Sequence, residues 1–562
     1  MKTLIVSLAV VLSLQAQTPQ KLVETMEVTV VNVDVVVTDK SGKRITGLTQ
    51  DDFEIFDRRK KQVITNFSEI GGAAVPAAEE SVAKEPQAAA PTAARRRNTV
   101  IFFIDSTSLD PRRRRKVFEE LRRFAGTALL PGDRSMVAVW NKRLRVTQPF
   151  TESGEDIQRA LYEAAEDASG IALVVNRKQV QQRIEHELQT SLESPLAYPI
   201  ELAYQNARSH ASAYSEEMVA HARSLTAAVS TVLTTFTAPE DKKVLVYVGD
   251  YLPQKAGAEM WQFVEDTYRA HIEIQGLLRQ ESVSIVQWIN SMVRAANATG
   301  VTAYMISGGA LHQLAIDAAD NPTGLQATAS SAALVDAETR SSFTMTAEAT
   351  GGTAFTGGDA GKLLQQIADD FRTYYSIGFR PSGSADGKER RIEVRTKNPA
   401  YVVRYRQSYV LRSRDDEMAD RVAANVYESE GLGELQVRTS ADVPMSEGRN
   451  RKRVPVKVFV EGRNLTLIPQ GGSLAGDLLV FVCAGSPDSG ATKVLRHAQR
   501  LNIPAADEAR FRASHLTFTF DVIVERKGEN TISAGVLDTV SGSWGLARTP
   551  MSDGEAVTET KP

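Results

Sequence analysis

Cysteine is almost absent: Cys483 is the only one in 562 residues, so no disulfide can form within the chain and packing must hold it together. Cys483 ends the apolar run Leu478-Leu479-Val480-Phe481-Val482, which predicts a buried, unreactive thiol. Histidine is sparse, with seven residues scattered along the chain, so no local His cluster offers a metal-ligand set. Charge of either sign is nearly cancelled, leaving a net −3, too little for a global field that would gather nucleic acid or an anionic membrane. After the first residues no apolar run is long enough to span the roughly 30 Å of a bilayer core. The remainder is ordinary globular material, 42% hydrophobic and 24% charged, and longer than one core usually organises, so about two to four domains are expected.

The first sixteen residues carry Lys2, an apolar run from Leu4 to Leu14, and Ala16 before a polar stretch. This predicts a signal peptide over 1–16 and an exported chain that is periplasmic, surface-located or secreted. Gln17 rather than Cys follows, so that cleavage site gives no lipid attachment.

Within 24–70, Val31, Val33, Val35 and Val37 alternate with other residues and Asp39-Lys40-Ser41-Gly42 offers a turn, predicting a small N-terminal β unit. Residues 71–98 are rich in Ala, Pro and Glu, which predicts a disordered linker. From 99 to 411 strand and helix patterns alternate. Val100-Ile101-Phe102-Phe103-Ile104 is an apolar run of the kind buried on both faces of a parallel sheet. Pro111 opens a helix whose inward stripe is Val117, Leu121, Phe124 and Ala125. Further strands are expected at Ser135 to Trp140, Leu144 to Phe150, Val244 to Val248 and Val301 to Ile306. Residues 170–238 are helical in composition, with Val180, Ile184, Leu188 and Leu192 at four-residue spacing and Pro195 and Pro199 dividing the segment. They predict a helical insertion that either packs on the domain or offers a partner surface. Between 425 and 550 the alternation of Val454, Val456, Val458 and Val460, and of Leu516, Phe518, Phe520, Val522 and Val524, predicts a β-sandwich-like domain.

Val33-Asp34-Val35-Val36-Val37-Thr38-Asp39, Gly47-Leu48-Thr49 to Phe56, the strand end Phe103-Ile104-Asp105, Ala349-Thr350-Gly351-Gly352-Thr353-Ala354-Phe355, Tyr374 to Phe379 and Val403 to Tyr409 occur in that order. Together they resemble the acidobacterial VWFA-related family of von Willebrand factor type A-like exported proteins, over roughly residues 25–411. The resemblance implies an α/β fold with a Rossmann-like, doubly wound sheet preceded by a small β unit. It implies a fold more firmly than a function.

Type A domains often hold a divalent cation on an Asp-x-Ser-x-Ser loop, a distant threonine and a further aspartate. Mg²⁺ or Mn²⁺ suits such hard oxygen donors. Here the loop reads Asp105-Ser106-Thr107-Ser108-Leu109. Asp105, Thr107 and Asp250 match ligand positions, whereas Leu109 replaces the second serine and no Gly-x-Thr supplies the distant threonine. Arg112 to Arg115 and Lys116 follow, some of them within about one Debye length, roughly 8 to 10 Å, of any bound cation, and would weaken its binding. The resemblance therefore implies a degenerate metal site.

Enzyme motifs are incomplete. His186-Glu187-Leu188-Gln189-Thr190 lacks the second histidine of a zincin helix. Gly357 to Leu363 resembles a phosphate loop with short glycine spacing, Gly431-Leu432-Gly433 lacks a third glycine, and no Gly-x-Ser-x-Gly elbow is present. The expected function is a non-catalytic interaction or adhesion module of the bacterial envelope whose partner is a protein or other envelope macromolecule, with no nucleic acid. The alternatives are an envelope hydrolase with a site between domains, and a purely structural component. A cleft joining a His, a carboxylate and a nucleophile would favour the enzyme.

Overall fold

The computed structural model describes residues 30–71, 97–109, 111–166, 172–234, 241–273, 281–307, 325–356, 360–383, 385–427, 433–486, 490–525 and 530–551. The expected signal peptide (1–16) and residues 72–96 of the expected linker lie outside them. So do the side chains of Arg112, Arg113, Arg114 and Lys116.

The fold is mixed α/β. Its central sheet has six strands in the spatial order Ala354–Phe355, Val301–Ile306, Lys242–Val248, Asn98–Asp105, Arg134–Trp140 and Leu144–Thr151. All neighbours are parallel except the last pair, a hairpin. Numbered by chain position within this sheet, the order is 3-2-1-4-5-6, and the reversal falls between the strands ending at Asp105 and Val248. Every residue of Asn98–Asp105 is buried, as an uninterrupted apolar run demands when helices cover both faces. Val100, Phe102 and Ile104 meet the helices Pro111–Ala128, Gly154–Glu166 and Ala360–Arg372. Ile101 and Phe103 point the other way, toward the helices Ala172–Glu193, Ile200–Leu233, Ala258–Tyr268, Val286–Thr299 and Leu325–Thr350. The stripe Val117, Leu121, Phe124 and Ala125 is buried, each large member contributing about 1.5–3 kcal/mol of transfer free energy. The central strand begins one residue inside the segment read as linker, because Asn98 is anchored by its backbone N–H and side-chain amide to the Asp133 carboxylate at 3.0 and 3.1 Å.

The segment 24–70, read as a small β unit of its own, is instead half of a domain. Val31–Thr38 lies between Tyr374–Phe379 and Val402–Arg404, with Ile64–Ile70 beyond Tyr374–Phe379, in one antiparallel sheet. Phe53–Asp57 lies in a second sheet between Lys60–Gln62 and Glu389–Thr396, with Ser408–Val410 at the edge. Val33, Val35, Ile55, Ile377 and Val394 share one core. The α/β module therefore ends near Arg372 rather than 411. Alternation fixes which face of a strand is buried, but it carries no information about a partner 327 positions away, the separation at which Tyr375 hydroxyl accepts from the Leu48 N–H.

One buried charge joins these modules. Asp370, fully buried on the helix Ala360–Arg372, accepts from Arg404 Nη2 at both oxygens, at 2.9 and 2.8 Å, accepts the Tyr304 hydroxyl at 2.8 Å, and forms an ion pair with Arg44. Burial and the neighbouring Arg404 charge pull the Arg44 guanidinium down to about 10.

In the C-terminal part, Arg451–Glu461 pairs with Val437–Ala441, Met445–Glu447 and His515–Glu525. Ser473–Ser486 pairs with Ile468–Gln470, Leu495–Pro504 and Thr531–Asp538, which continues to Trp544–Pro550. Val454, Val456, Val458 and Val460 face Val480, Val482, Ile532 and Val536 in one core. The opposite face, Leu479, Phe481 and Cys483, is covered by Met418 and Val422 of the helix Arg414–Ala424, which explains why the run 478–482 does not alternate. Burial pushes the Cys483 thiol up to about 12.

Candidate functional site

The strand register places Ile104 beside Val248, so the segments leading to Asp105 and Asp250 leave neighbouring strand ends at the reversal of strand order. The two aspartates are joined through one serine: the Asp250 N–H donates to Ser108 Oγ at 2.9 Å, and that hydroxyl donates to the Asp105 carbonyl at 3.3 Å. At Gly249 space is tight, since a Cβ there would lie 3.0 Å from both Asp105 Cβ and the Tyr247 hydroxyl.

Asp105 is fully buried. Its Oδ1 accepts the Thr107 hydroxyl at 2.5 Å and the Thr107 N–H at 3.2 Å, and its Oδ2 accepts the Tyr247 hydroxyl at 3.4 Å. Burial, then the adjacent Asp105 charge, hold the Tyr247 phenol well above its ordinary range. Ser106 turns away, donating to the Trp140 carbonyl, and Asp250 Oδ1 accepts the Ser307 hydroxyl at 2.7 Å. His221, on the long helix Ile200–Leu233, closes the top between the rings of Trp140 and Tyr251, with centroids at 6.4 and 6.5 Å. Burial lowers the His221 imidazole, outweighing the opposing pull of the Asp105 and Glu217 charges. Leu109 is buried.

Thus the structure brings Asp105, Thr107 and Asp250 into one place, but as a self-satisfied hydrogen-bond cluster. A Mg²⁺ or Mn²⁺ ion would want close to six oxygens in an open octahedron. Here both Asp105 oxygens accept hydrogen bonds from the chain's own hydroxyls, apolar Leu109 occupies a ligand position, and among the described residues no group of three His, Cys, Asp or Glu side chains converges. The donor set does not fit the ion. Calorimetric titration with Mg²⁺ or Mn²⁺ is expected to give no saturable heat; saturable heat lost in Asp105→Ala would overturn this reading.

Sequence reasoning missed Tyr247, Ser307 and His221. Ser307 directly follows a strand, so inspecting every strand end would have found it, and Tyr247 follows from the register beside Phe103. No local signal marks His221, which reaches the site from the helical segment. Its Nε2 makes no hydrogen bond among the described residues, and the Thr107 hydroxyl is bound to Asp105. At the zincin-like motif, Thr190 hydroxyl donates to the His186 carbonyl at 2.8 Å and Glu187 binds Tyr198 and Asn206. Gly357 to Asp359, Gly431 and Leu432 lie outside the described residues, as do the side chains of Ala360 to Leu363.

No protein-family profile matches the chain, and no curated protein matches it. Among solved structures, von Willebrand factor type A from Catenulispora acidiphila aligns at 11% identity and a TM-score of 0.21, covering 81% of this chain and 66% of that one. The structural-genomics target SoR45 aligns at 12% identity and a TM-score of 0.14, covering 23% of this chain and 93% of that one. Similarity at this level leaves the architecture to be argued from the strand order and register themselves.

Proposed function

We propose that this chain is an exported, non-catalytic interaction module of the bacterial cell envelope, with a von Willebrand factor type A-like α/β domain whose helical insertion binds a protein or other envelope macromolecule. The observation that carries this reading is the tip of the segment 170–238. The helices Ala172–Glu193 and Ile200–Leu233 bury Val180, Ile184, Val229 and Leu233 against the α/β core, which accounts for most of the apolar stripe as ordinary packing. The stripe then runs past the core. Leu192, Leu196 and Leu202 are 55%, 100% and 47% exposed around the turn, where no packing among the described residues explains three leucines. Apolar side chains exposed around one turn suit a macromolecular contact.

The reversal of strand order at Asp105 and Asp250 supports the type A-like reading, and the two antiparallel sheets beyond residue 433 support a sandwich-like domain that spaces or docks it. The segment 1–16 supports export, and no helix among the described residues is long and apolar enough to cross a membrane.

The test is recovery of partners from an envelope extract by the full chain and by a variant carrying Leu192→Ser, Leu196→Ser and Leu202→Ser. Because the three side chains are exposed, the variant is expected to keep its stability within about 0.5 kcal/mol per site. Recovery is expected to fall at least roughly tenfold, as for loss of an apolar anchor. Equal recovery by both proteins would sink the assignment.

A further inference from the structure

At the end of the central sheet opposite Asp105 lies a cavity of about 250 Å³ where three parts of the fold meet. One wall is Val31, Asn32 and Asp34 of the N-terminal strands, another is Lys243 with Thr299 and Gly300, and the third is Arg412 through Arg421 before the C-terminal sheets. Lys243, second residue of the strand Lys242–Val248, is half-buried and lines this space. It donates one hydrogen bond, to the Thr299 carbonyl at 3.1 Å, and forms no ion pair among the described residues.

Charges of both signs act on Lys243, Arg406 and Arg421 against Glu417 and Asp241, with the arginines the stronger. Arg406 is held on the cavity wall by the carbonyls of Asn297 and Asn32, at 3.1 and 2.7 Å. Arg421 lies against the Trp544 ring at 4.7 Å and meets Glu417 at 3.7 Å. Burial first, then Arg406 and Arg421, press the Lys243 ammonium down to about 8. The lining carboxylates are largely engaged: Asp420 with Arg412, Glu417 with Arg421, and Asp241 with the Thr99 hydroxyl at 2.7 Å and with Arg97 at 3.7 Å. Asp34 lies on the same wall. The lining carries four cations, Lys243, Arg406, Arg412 and Arg421, and four carboxylates, of which Asp241 also meets Arg97 from outside the lining.

We propose that this cavity is a binding site for a small oxyanion, a phosphate-like or short carboxylate group, taken between Lys243 and Arg406. An ammonium with spare donors and the Arg406 guanidinium lining one cavity form an arrangement that an anion stabilises. The bound anion would tie the N-terminal strands, the central sheet and the approach to the C-terminal sheets together at one point. This role is separate from the leucine tip and from the cluster around Asp105.

Calorimetry on the full chain with sulfate and with acetate, at constant ionic strength set by chloride, tests the proposal. Neither probe ionises near pH 8, so proton exchange reports on the protein. Saturable binding of either anion is expected below about pH 8, with sulfate standing for the phosphate-like source and acetate for the carboxylate source. Lys243→Met is expected to weaken it roughly tenfold or more, and Lys243→Arg to keep it within about threefold. Near pH 8 the unaltered chain is expected to take up protons on binding, seen as heats that differ between Tris and HEPES, because the anion raises the Lys243 ammonium back toward its ordinary range. This readout needs no variant. Absence of saturation by both anions, unchanged affinity in a folded Lys243→Met protein, or binding without proton uptake would each overturn the proposal.

Discussion

Asp370→Ala is expected to destabilise the protein by about 3–5 kcal/mol, the cost of removing one partner from a buried ionic group. The carboxylate is fully buried and engages Arg404, Arg44 and the Tyr304 hydroxyl. Deleting it leaves two largely buried guanidinium groups and a phenol without their acceptor, and desolvated cations are costly when unpaired. Because Arg44 and Arg404 belong to the sheet of N-terminal and 374–410 strands, while Asp370 and Tyr304 belong to the α/β module, the loss also loosens the junction. Urea unfolding followed by far-UV circular dichroism measures the shift. Asp370→Asn, which keeps shape and one acceptor, is expected to lie between the unaltered chain and Asp370→Ala. A change below about 1 kcal/mol in Asp370→Ala would show the network to be energetically idle.

Gly352→Val is expected to cost about 3 kcal/mol or more, near the upper end for overpacking. Even a Cβ at this position would lie 2.0 Å from the Ala303 carbonyl oxygen and 2.8 Å from its carbon. Both atoms are backbone of the strand Val301–Ile306, so relief requires moving a central strand rather than turning a side chain. That strand is hydrogen-bonded in register to Lys242–Val248 from Val301 to Ile306, and its displacement would be transmitted to the strand end beside Asp105. Gly154→Ala is the control: nothing lies within 4 Å of its added Cβ, and at a helix start it is expected to be neutral or stabilising by up to about 1 kcal/mol. Thermal unfolding of the two variants should therefore move in different directions. Equal behaviour would mean that the close approach at Gly352 is relaxed at little cost.

The glycine pair of the motif at 349–355 illustrates a general point about the resemblance. Ala349 to Phe355 reads from sequence as a family-like signature, but its reason is steric: at Gly352 the chain passes against the backbone of a neighbouring strand. Likewise Leu192 continues a four-residue stripe that is buried at Val180 and Ile184. Periodicity marks a helix face, and only the extent of the packed core shows where that face emerges into solvent.

What the sequence determined by itself is local in origin. The valine alternation of 31–37, the two-sided burial of 100–104, the helix after Pro111, and the placing of Asp105 and Asp250 at strand ends all follow from spacing of two or 3.6 residues and from short turns. Tertiary structure decided which strands pair, so that Val33 meets Ile377. It brought Tyr247, Ser307 and His221 around the two aspartates, and set Lys243 among arginines from two other parts of the fold. These outcomes depend on contacts between residues remote in the chain, where side-chain periodicity is silent and the balance between burial and charge is set by neighbours that only folding supplies.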